Sequence, residues 1–313
     1  MTLEPAAINV YVGPEDNEWA AAVRDAVTST GASLVRPEQA SAIVWLSKRA
    51  EDGLDRMLHD GIGWVQLRAA GVERWVDRGD LDDLRIWTAA RGIYAETVAE
   101  HTLALMLAGL KLLPQYARAI TWDHDAKQKG RLLRGSTVVV VGAGGIGQEV
   151  IRYVQPLGAH VVAVTRSGRQ VEGADECFSA GELGAIWPRA DIVVLAAPST
   201  AETRHLLGAS ELDALPEHAV VVNIARGSLI DTDALVDALA TGSIGVAALD
   251  VTEPEPLPDG HPLWTEPRAL ITPHAANPGP EQLPRLCALV VDNLHRFAEG
   301  QELRGRVDVH AGY

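Results

Sequence analysis

The sequence predicts an α/β fold of two doubly wound, parallel-sheet (Rossmann-like) domains. Three observations carry this expectation. Short β-branched apolar runs alternate with helical patterns along most of the chain, which is the signature of βαβ units. Several runs, such as Val138-Val139-Val140-Val141, are apolar at every position, as strands covered on both faces must be. The length of 313 residues suits two domains of about 150 residues each.

Taken in order, a first series of strands is expected at 8–12, 42–46, 63–67 and 84–87, with a helix over 18–30. A long apolar-periodic helix follows over about 96–113 (ETVAEHTLALMLAGLKLL). A polar stretch, 121–132 (TWDHDAKQKGRL), separates it from a second series. There the strands are expected at 136–141, 160–165, 192–197, 219–225, 246–251 and 269–272, with a helix over about 279–299 after the last. No repeat of 20 to 50 residues is present.

Composition narrows the function classes. The chain is 47% hydrophobic and 22% charged, and no apolar run approaches the roughly 18 residues of a membrane span. The start lacks a basic-then-apolar leader pattern. With Cys177 and Cys287 as its two cysteines, a disulfide framework is not expected and a reducing cytoplasm is. A net charge of -15 without any Lys/Arg-rich run argues against nucleic acid or a membrane surface as partner. An anionic ligand would also meet a repulsive overall field, so its site must be made locally by Arg side chains or backbone N–H groups.

The expected strand 136–141 runs directly into Gly142-Ala143-Gly144-Gly145-Ile146-Gly147, and a helical pattern follows. This is a GxGxxG turn in its strand-to-helix context. Gly142 allows the tight turn, Gly144 lets backbone approach a pyrophosphate, and Gly147 lets helix and strand pack closely. The helix N-terminus then offers unpaired N–H groups and a positive dipole end to the phosphates. The next expected strand ends in Thr165-Arg166-Ser167, with Arg169 close by, where an NAD-binding fold carries a carboxylate for the ribose hydroxyls. The missing carboxylate removes a charge that would repel a 2′-phosphate, and Arg166 adds a cation. NADP(H) is therefore favoured over NAD(H).

Three further segments each end an expected strand with polar residues: Asn223-Ile224-Ala225-Arg226-Gly227, then Asp250-Val251-Thr252-Glu253-Pro254-Glu255, then Thr272-Pro273-His274. Ligands of open α/β sheets bind beyond the carboxyl ends of strands. Singly, each residue has an ordinary explanation; together, behind a dinucleotide turn, they form a catalytic set. Here the chain resembles the D-isomer-specific 2-hydroxyacid dehydrogenase family. The resemblance runs through VQLRAAGVERW (65–75), TAARGIYAETVAEHTLALML (88–107), the glycine turn, APSTAETRHLL (197–207), VNIARGSLID (222–231), LDVTEPEPLP (249–258) and ITPH (271–274).

The resemblance implies His274 as general acid/base, Glu255 as its carboxylate partner, and Arg226 as the substrate-binding, carbonyl-polarising cation. It implies Asp250 at the nicotinamide end, Pro198 and Thr203 along the cofactor, and a loop of Arg68, Ala69, Ala70 and Gly71 whose backbone grips the substrate carboxylate. It further implies a cofactor domain (97–275) inserted into a substrate domain (1–96 with 276–313), and a homodimer. The expected reaction is hydride transfer from NAD(P)H to a small anionic 2-oxo acid, giving the D-2-hydroxy acid. Within the family, the NADP-type turn, the ending GRVDVHAGY and the HPLW segment look most like bacterial NADPH-dependent glyoxylate/hydroxypyruvate reductases. Physics supports the casting: an imidazolium can protonate the carbonyl oxygen, a carboxylate fixes its tautomer, and an Arg fork spans carboxylate and carbonyl.

Two departures from the family pattern concern substrate. Arg68 stands where small or hydroxyl residues are usual, and Ala275-Ala276-Asn277-Pro278 follows His274. Glu255, where formate dehydrogenases of the family carry Gln, argues against formate oxidation. The alternative class is a dinucleotide-sensing binding protein like the C-terminal-binding corepressors, which share the fold; the NADP-type turn speaks for the reductase. The histidines show no metal-ligand spacing, so no metal is expected. His101 and His261 read as structural. Trp45, Trp122 and Trp264 are candidates for lining a pocket, although large aromatics more often pack a core.

Overall fold

Residues 8–310 are described in the computed structural model. The chain divides into a terminal unit, made of residues up to Tyr94 and from Pro278 onward, and a central unit, Ala95–Asn277.

In the terminal unit, strands β1 (Asn9–Gly13), β2 (Ser33–Leu34), β3 (Ala42–Trp45), β4 (Trp64–Leu67) and β5 (Ile86–Thr88) form one sheet in the order β2-β1-β3-β4-β5. Every pairing is parallel. Trp45, Trp64, Trp75 and Trp87 are its largest fully buried side chains. Helix Glu18–Ser29 begins where the Asn17 side chain accepts from the N–H of Ala20, and it buries Ala20, Val23 and Val27. It packs against helix Gly279–Glu299. That C-terminal helix joins this unit through Asn293, fully buried, whose Nδ2 donates to Gln66 Oε1 on β4 at 3.0 Å. A buried amide with a paired donor costs little, whereas an unpaired one would cost about 1–3 kcal/mol.

In the central unit, strands β6 (Thr137–Val141), β7 (His160–Thr165), β8 (Glu176–Ser179), β9 (Ile192–Leu195), β10 (Val220–Asn223), β11 (Val246–Leu249) and β12 (Ala269–Ile271) form a second parallel sheet. Its order is β12-β11-β10-β9-β6-β7-β8. Val139, Val193, Val221 and Ala247 stand in register across four strands and are fully buried. The chain order reverses between β6 and β9, and between β1 and β3 in the other sheet. Such switch points open a crevice beyond the carboxyl ends of the strands.

Four elements differ from expectation for identifiable reasons. The strand expected at 84–87 lies at Ile86–Thr88, because the Asp82 side chain accepts from the N–H of Leu84 and makes a turn of 82–84, leaving Leu84 80% exposed. The long helix spans Ala95–Leu110 and stops short of 113. Leu112 takes φ 54°, and Pro114, which could not extend the helix without clashing with a preceding carbonyl, sits in the first turn of a new one, Leu113–Arg118. Strands β2 and β8 carry no fully apolar run, so nothing in the pattern announced them. Helix Ala95–Leu110 packs on helix Gly145–Val154 and on β10, where a Cβ at Gly109 would come within 2.5 Å of Val220.

Candidate active site

The glycine turn leaves the end of β6. Gly142 has φ 96°, and a Cβ there would lie 2.5 Å from the backbone nitrogen of Ala197, which follows β9. A Cβ at Gly147 would lie 2.3 Å from the carbonyl oxygen of Gly142. These two glycines let the turn, helix and sheet close on one another. Gly144 is different: a Cβ would meet nothing within 4 Å, and Gly144 and Gly145 are exposed. Helix Gly145–Val154 starts here, so its first N–H groups, which have no partner within the helix, face this open space. The turn fits a pyrophosphate. Ala143 is buried and Ile146 half-buried beneath it.

Beyond β7, Thr165 caps the following turn by accepting from the N–H of Arg169 at 3.1 Å. Arg166 and Ser167 are exposed on that turn. Arg169 folds back: its guanidinium donates to the carbonyl of Ala143 at 2.9 Å and so braces the glycine turn. After β9, Pro198 is exposed, and its carbonyl accepts from the Thr203 hydroxyl at 2.7 Å. The Thr203 oxygen also accepts from the N–H of Thr200 at 2.8 Å, so this side chain holds its own loop together.

At the other ends of the sheet, side chains brace one another. Asn223, fully buried, donates to the carbonyl of Arg226 at 2.8 Å and accepts from the N–H of Ala225 at 3.1 Å, which fixes the bend that presents Arg226. Gly227 follows because a Cβ would stand 2.0 Å from the Thr252 carbonyl. Asp250, 2% exposed, accepts from the Thr272 hydroxyl (2.6 Å) and from the N–H groups of Ala275 (2.8 Å) and Ala276 (3.2 Å). His101 reaches the same knot, with Nε2 3.0 Å from the Thr272 hydroxyl and 3.4 Å from Asp250. Since that hydroxyl donates to Asp250, its lone pair faces His101, and Nε2 carries the proton. Burial pulls the Asp250 carboxyl upward, but these hydrogen bonds together hold it below its ordinary value.

The knot clamps the loop that carries His274. The residue has φ 52°, unusual for a side chain with a Cβ, and its N–H donates to the carbonyls of Asp250 (2.8 Å) and Thr272 (2.9 Å). His274 Nδ1 lies 2.7 Å from Glu255 Oε1, leaving Nε2 for another partner. The neighbouring Glu253 is held below the ordinary range: burial opposes ionisation, but Arg204 at 2.9 Å and His205 at 3.3 Å outweigh it. Ala275 and Ala276 serve through their backbone, so small residues there suffice.

In the terminal unit, the loop after β4 carries Arg68, Ala69, Ala70 and Gly71. Its carbonyls are tied: Ala69 accepts from the N–H of Ala90 (2.9 Å) and Ala70 from Arg91 (3.3 Å). Among the described residues, no group accepts from the N–H of Ala69, Ala70 or Gly71. Three successive N–H groups without an acceptor among the described residues are available to an anion.

A model of the D-isomer specific 2-hydroxyacid dehydrogenase NAD binding domain matches residues 103–276, more than half of the chain. The chain belongs to the D-isomer-specific 2-hydroxyacid dehydrogenase family. It is 41% identical over 82% of its length to an uncharacterized protein in the proB 3′ region of Corynebacterium melassecola, of which 85% is covered. It is 34% identical over 68% of its length to a glyoxylate reductase of Aeropyrum pernix, of which 67% is covered. Among solved structures, a D-isomer specific 2-hydroxyacid dehydrogenase of Xanthobacter autotrophicus Py2, in complex with NADPH and MES, matches with a TM-score of 0.83, 28% identity and 100% of each chain covered. An NADPH-dependent glyoxylate/hydroxypyruvate reductase of Sinorhizobium meliloti matches with a TM-score of 0.82 and 25% identity, covering 98% of this chain and 100% of that one.

As a member of this family, the 2-hydroxyacid dehydrogenase described here carries out NAD(P)H-dependent reduction of a small 2-oxo acid to the D-2-hydroxy acid. Among its described residues, no helix is long and apolar enough to cross a membrane. Of the aromatic candidates for a pocket, Trp45 is fully buried in the terminal core, whereas Trp122 is 83% and Trp264 41% exposed. His261 caps the short turn Pro262–Trp264. Sequence reading gave Thr272, Arg204 and His205 no individual role, and it read His101 as structural. No local pattern links His101 to a hydroxyl 171 positions away.

Proposed function

We propose that this dehydrogenase uses NADPH in preference to NADH to reduce 2-oxo acids of the glyoxylate and hydroxypyruvate kind, with His274 as the proton donor. The observation that carries the reading is the His274–Glu255 pair at 2.7 Å, on a loop clamped by Asp250. Glu255 accepts from Nδ1 and stabilises the imidazolium, whose Nε2 proton is the one given to the carbonyl oxygen. Arg226 binds the substrate carboxylate and carbonyl oxygen through its planar fork and stabilises negative charge developing on that oxygen. The N–H groups of Ala69, Ala70 and Gly71 hold the carboxylate. The dinucleotide, once bound, supplies the hydride.

Gly142 to Gly147 receive the pyrophosphate, Pro198 and Thr203 border the cofactor, and Asp250 borders the nicotinamide while positioning the His274 loop. Arg166 and Ser167, exposed beyond β7, meet the 2′-phosphate. In this reading the terminal unit is the substrate domain and the central unit the cofactor domain. The Xanthobacter and Sinorhizobium structures, with NADPH and NADP respectively, support the cofactor choice. Glyoxylate reductases among the relatives support the substrate class. Ile120 (98% exposed), Trp122 (83%) and Leu132 (66%) lie close together in sequence and support burial in a homodimer. The unpaired cysteines Cys177 and Cys287 suit the cytoplasm.

Steady-state oxidation of NADPH and NADH with glyoxylate and hydroxypyruvate tests the proposal. NADPH-dependent turnover is expected, with Arg226→Lys losing most of its kcat/KM because one ammonium cannot replace the fork. Cofactor binding without turnover on either substrate would overturn it, and equal use of both cofactors would remove the NADPH preference.

A further inference from the structure

We infer that Arg68 and Lys48 form a second anion subsite, so that the preferred substrates are 2-oxo acids bearing another negative group at the far end. The inference rests on the reading that the loop after β4 holds the carboxylate of a 2-oxo acid. Arg68 begins that loop, at the end of β4, where its N–H donates to the carbonyl of Trp45 at the end of β3. Lys48 lies three residues beyond the end of β3, on a turn fixed by Ser47, whose hydroxyl donates to Asp52 and accepts from the N–H of Arg49. Both cations therefore leave adjacent strands at the carboxyl edge of the five-stranded sheet, beside the switch point between β1 and β3.

Arg68 is incompletely satisfied by what surrounds it, and Lys48 is an exposed cation at the neighbouring strand end. The Arg68 guanidinium lies 3.6 Å from the Trp19 ring centroid, which sets its plane. Its nearest polar contacts are long, 3.4 Å to the carbonyl of Leu46 and 3.7 Å to Glu15. Its Nε is buried, and no described residue accepts from it. Arg68 is only 14% exposed along its side chain, a poorly solvated place for a charge with such weak partners. Among the described residues, no hydrogen bond or ion pair engages the Lys48 ammonium. Desolvation, then the charge of Arg68, pulls the Lys48 ammonium below its ordinary value, and Glu15 offsets only part of this.

A structural arginine would be expected to complete its hydrogen bonds within the fold. This one is stacked and partly desolvated, and the adjacent strand end carries a second cation, in a chain whose net charge of -15 repels anions. A carboxylate or phosphate between the two would relieve the repulsion and fill the vacant donor. A monoanion such as glyoxylate already has its carboxylate matched by the loop N–H groups. The added cations select a dianion.

The test compares kcat/KM for glyoxylate, oxaloacetate and 3-phosphohydroxypyruvate in the parent, Lys48→Ala, Lys48→Glu and Arg68→Gln. The parent is expected to favour one dianion over glyoxylate by about 10-fold or more, and the better arm tells carboxylate from phosphate. The dianion-to-glyoxylate ratio should fall about 10-fold in Lys48→Ala, further in Lys48→Glu, and about 10- to 100-fold in Arg68→Gln, the worth of a charge-assisted hydrogen bond. If Arg68→Gln fails to fold, the Lys48 variants decide, since that side chain is exposed. A parent that reduces glyoxylate but shows no dianion preference, or variants that lose both substrates equally, overturns the subsite alone. A parent that reduces no 2-oxo acid overturns the proposed function itself.

Discussion

The two sides of the seven-stranded sheet meet solvent differently. Beyond β6 and β7 the chain turns on glycines, leaves open space above Gly144, and offers backbone N–H groups with exposed Arg166 and Ser167. Beyond β10, β11 and β12 it does the reverse. Asn223, Asp250, Thr272 and Glu255 each bind a neighbouring side chain or backbone group, and Asp250 is 2% exposed. The first side is built to receive a ligand with main-chain groups, which need no orienting partners. In the proposed function the second holds the side chains for chemistry, and each of them needs another to keep its geometry. Substitutions on the second side should therefore damage turnover, and those on the first should damage binding.

The sharpest attempt to break that division is His274→Ala. Turnover should fall by roughly 10²–10⁴-fold, the usual worth of a general acid, while the dissociation constant for NADPH stays nearly constant. Equilibrium fluorescence titration beside steady-state kinetics measures both, and a loss of cofactor binding of similar size would erase the distinction between the two sides.

Asp250→Asn comes next. The amide cannot accept from Thr272, Ala275 and Ala276 as a carboxylate does, so stability should drop by about 1.5–3 kcal/mol. The sign with pH follows from the depressed carboxyl. Its ionised form favours the folded state above the ordinary value of 3.8, and that contribution disappears as pH falls through the lower folded-state value. Parent and variant should therefore differ most near neutrality and converge in strong acid. Denaturant titrations from pH 3 upward would show it; a constant difference at every pH would mean that Asp250 acts through packing.

The same division explains what sequence could and could not disclose. The glycine turn was legible because each glycine answers to backbone crowding or open space within six consecutive residues. The pairing of His274 with Glu255 was legible because both follow strands of apolar sequence in family-like motifs. The clamp was not. His101, Asp250 and Thr272 come from three elements far apart in the chain, brought together by the parallel register of β11 with β12 and the packing of helix Ala95–Leu110 on β11. The bonds of Asp250 to the His274 loop are a pattern that no spacing encodes. The edge strand β8 escaped for a related reason: half-exposed, it needs no apolar run.

On the binding side, Thr165→Asp with Arg166→Ala should reverse cofactor preference. A carboxylate accepts the ribose hydroxyls and repels a 2′-phosphate, while the cation is gone. The change should be about 10- to 150-fold in the ratio of cofactor KM values, with kcat little altered because the adenosine end lies far from the hydride. A fall in kcat instead would show that this side takes part in positioning for chemistry.

The smallest effect separates two arginines three positions apart in sequence, Arg166 and Arg169. Arg166 is exposed on the turn beyond β7, and its removal alone should weaken NADPH without touching NADH. Arg169 donates at 2.9 Å to the carbonyl of Ala143, within the glycine turn. It reads no phosphate in that position; it braces the backbone that does. Arg169→Gln should therefore weaken both cofactors alike, by about 2- to 10-fold, the range of an ordinary hydrogen bond near solvent. Because the pyrophosphate is common to NADH and NADPH, the ratio of their affinities should not move. A loss confined to NADPH would move Arg169 from the turn to the 2′-phosphate and make the binding side, too, a place where side chains discriminate.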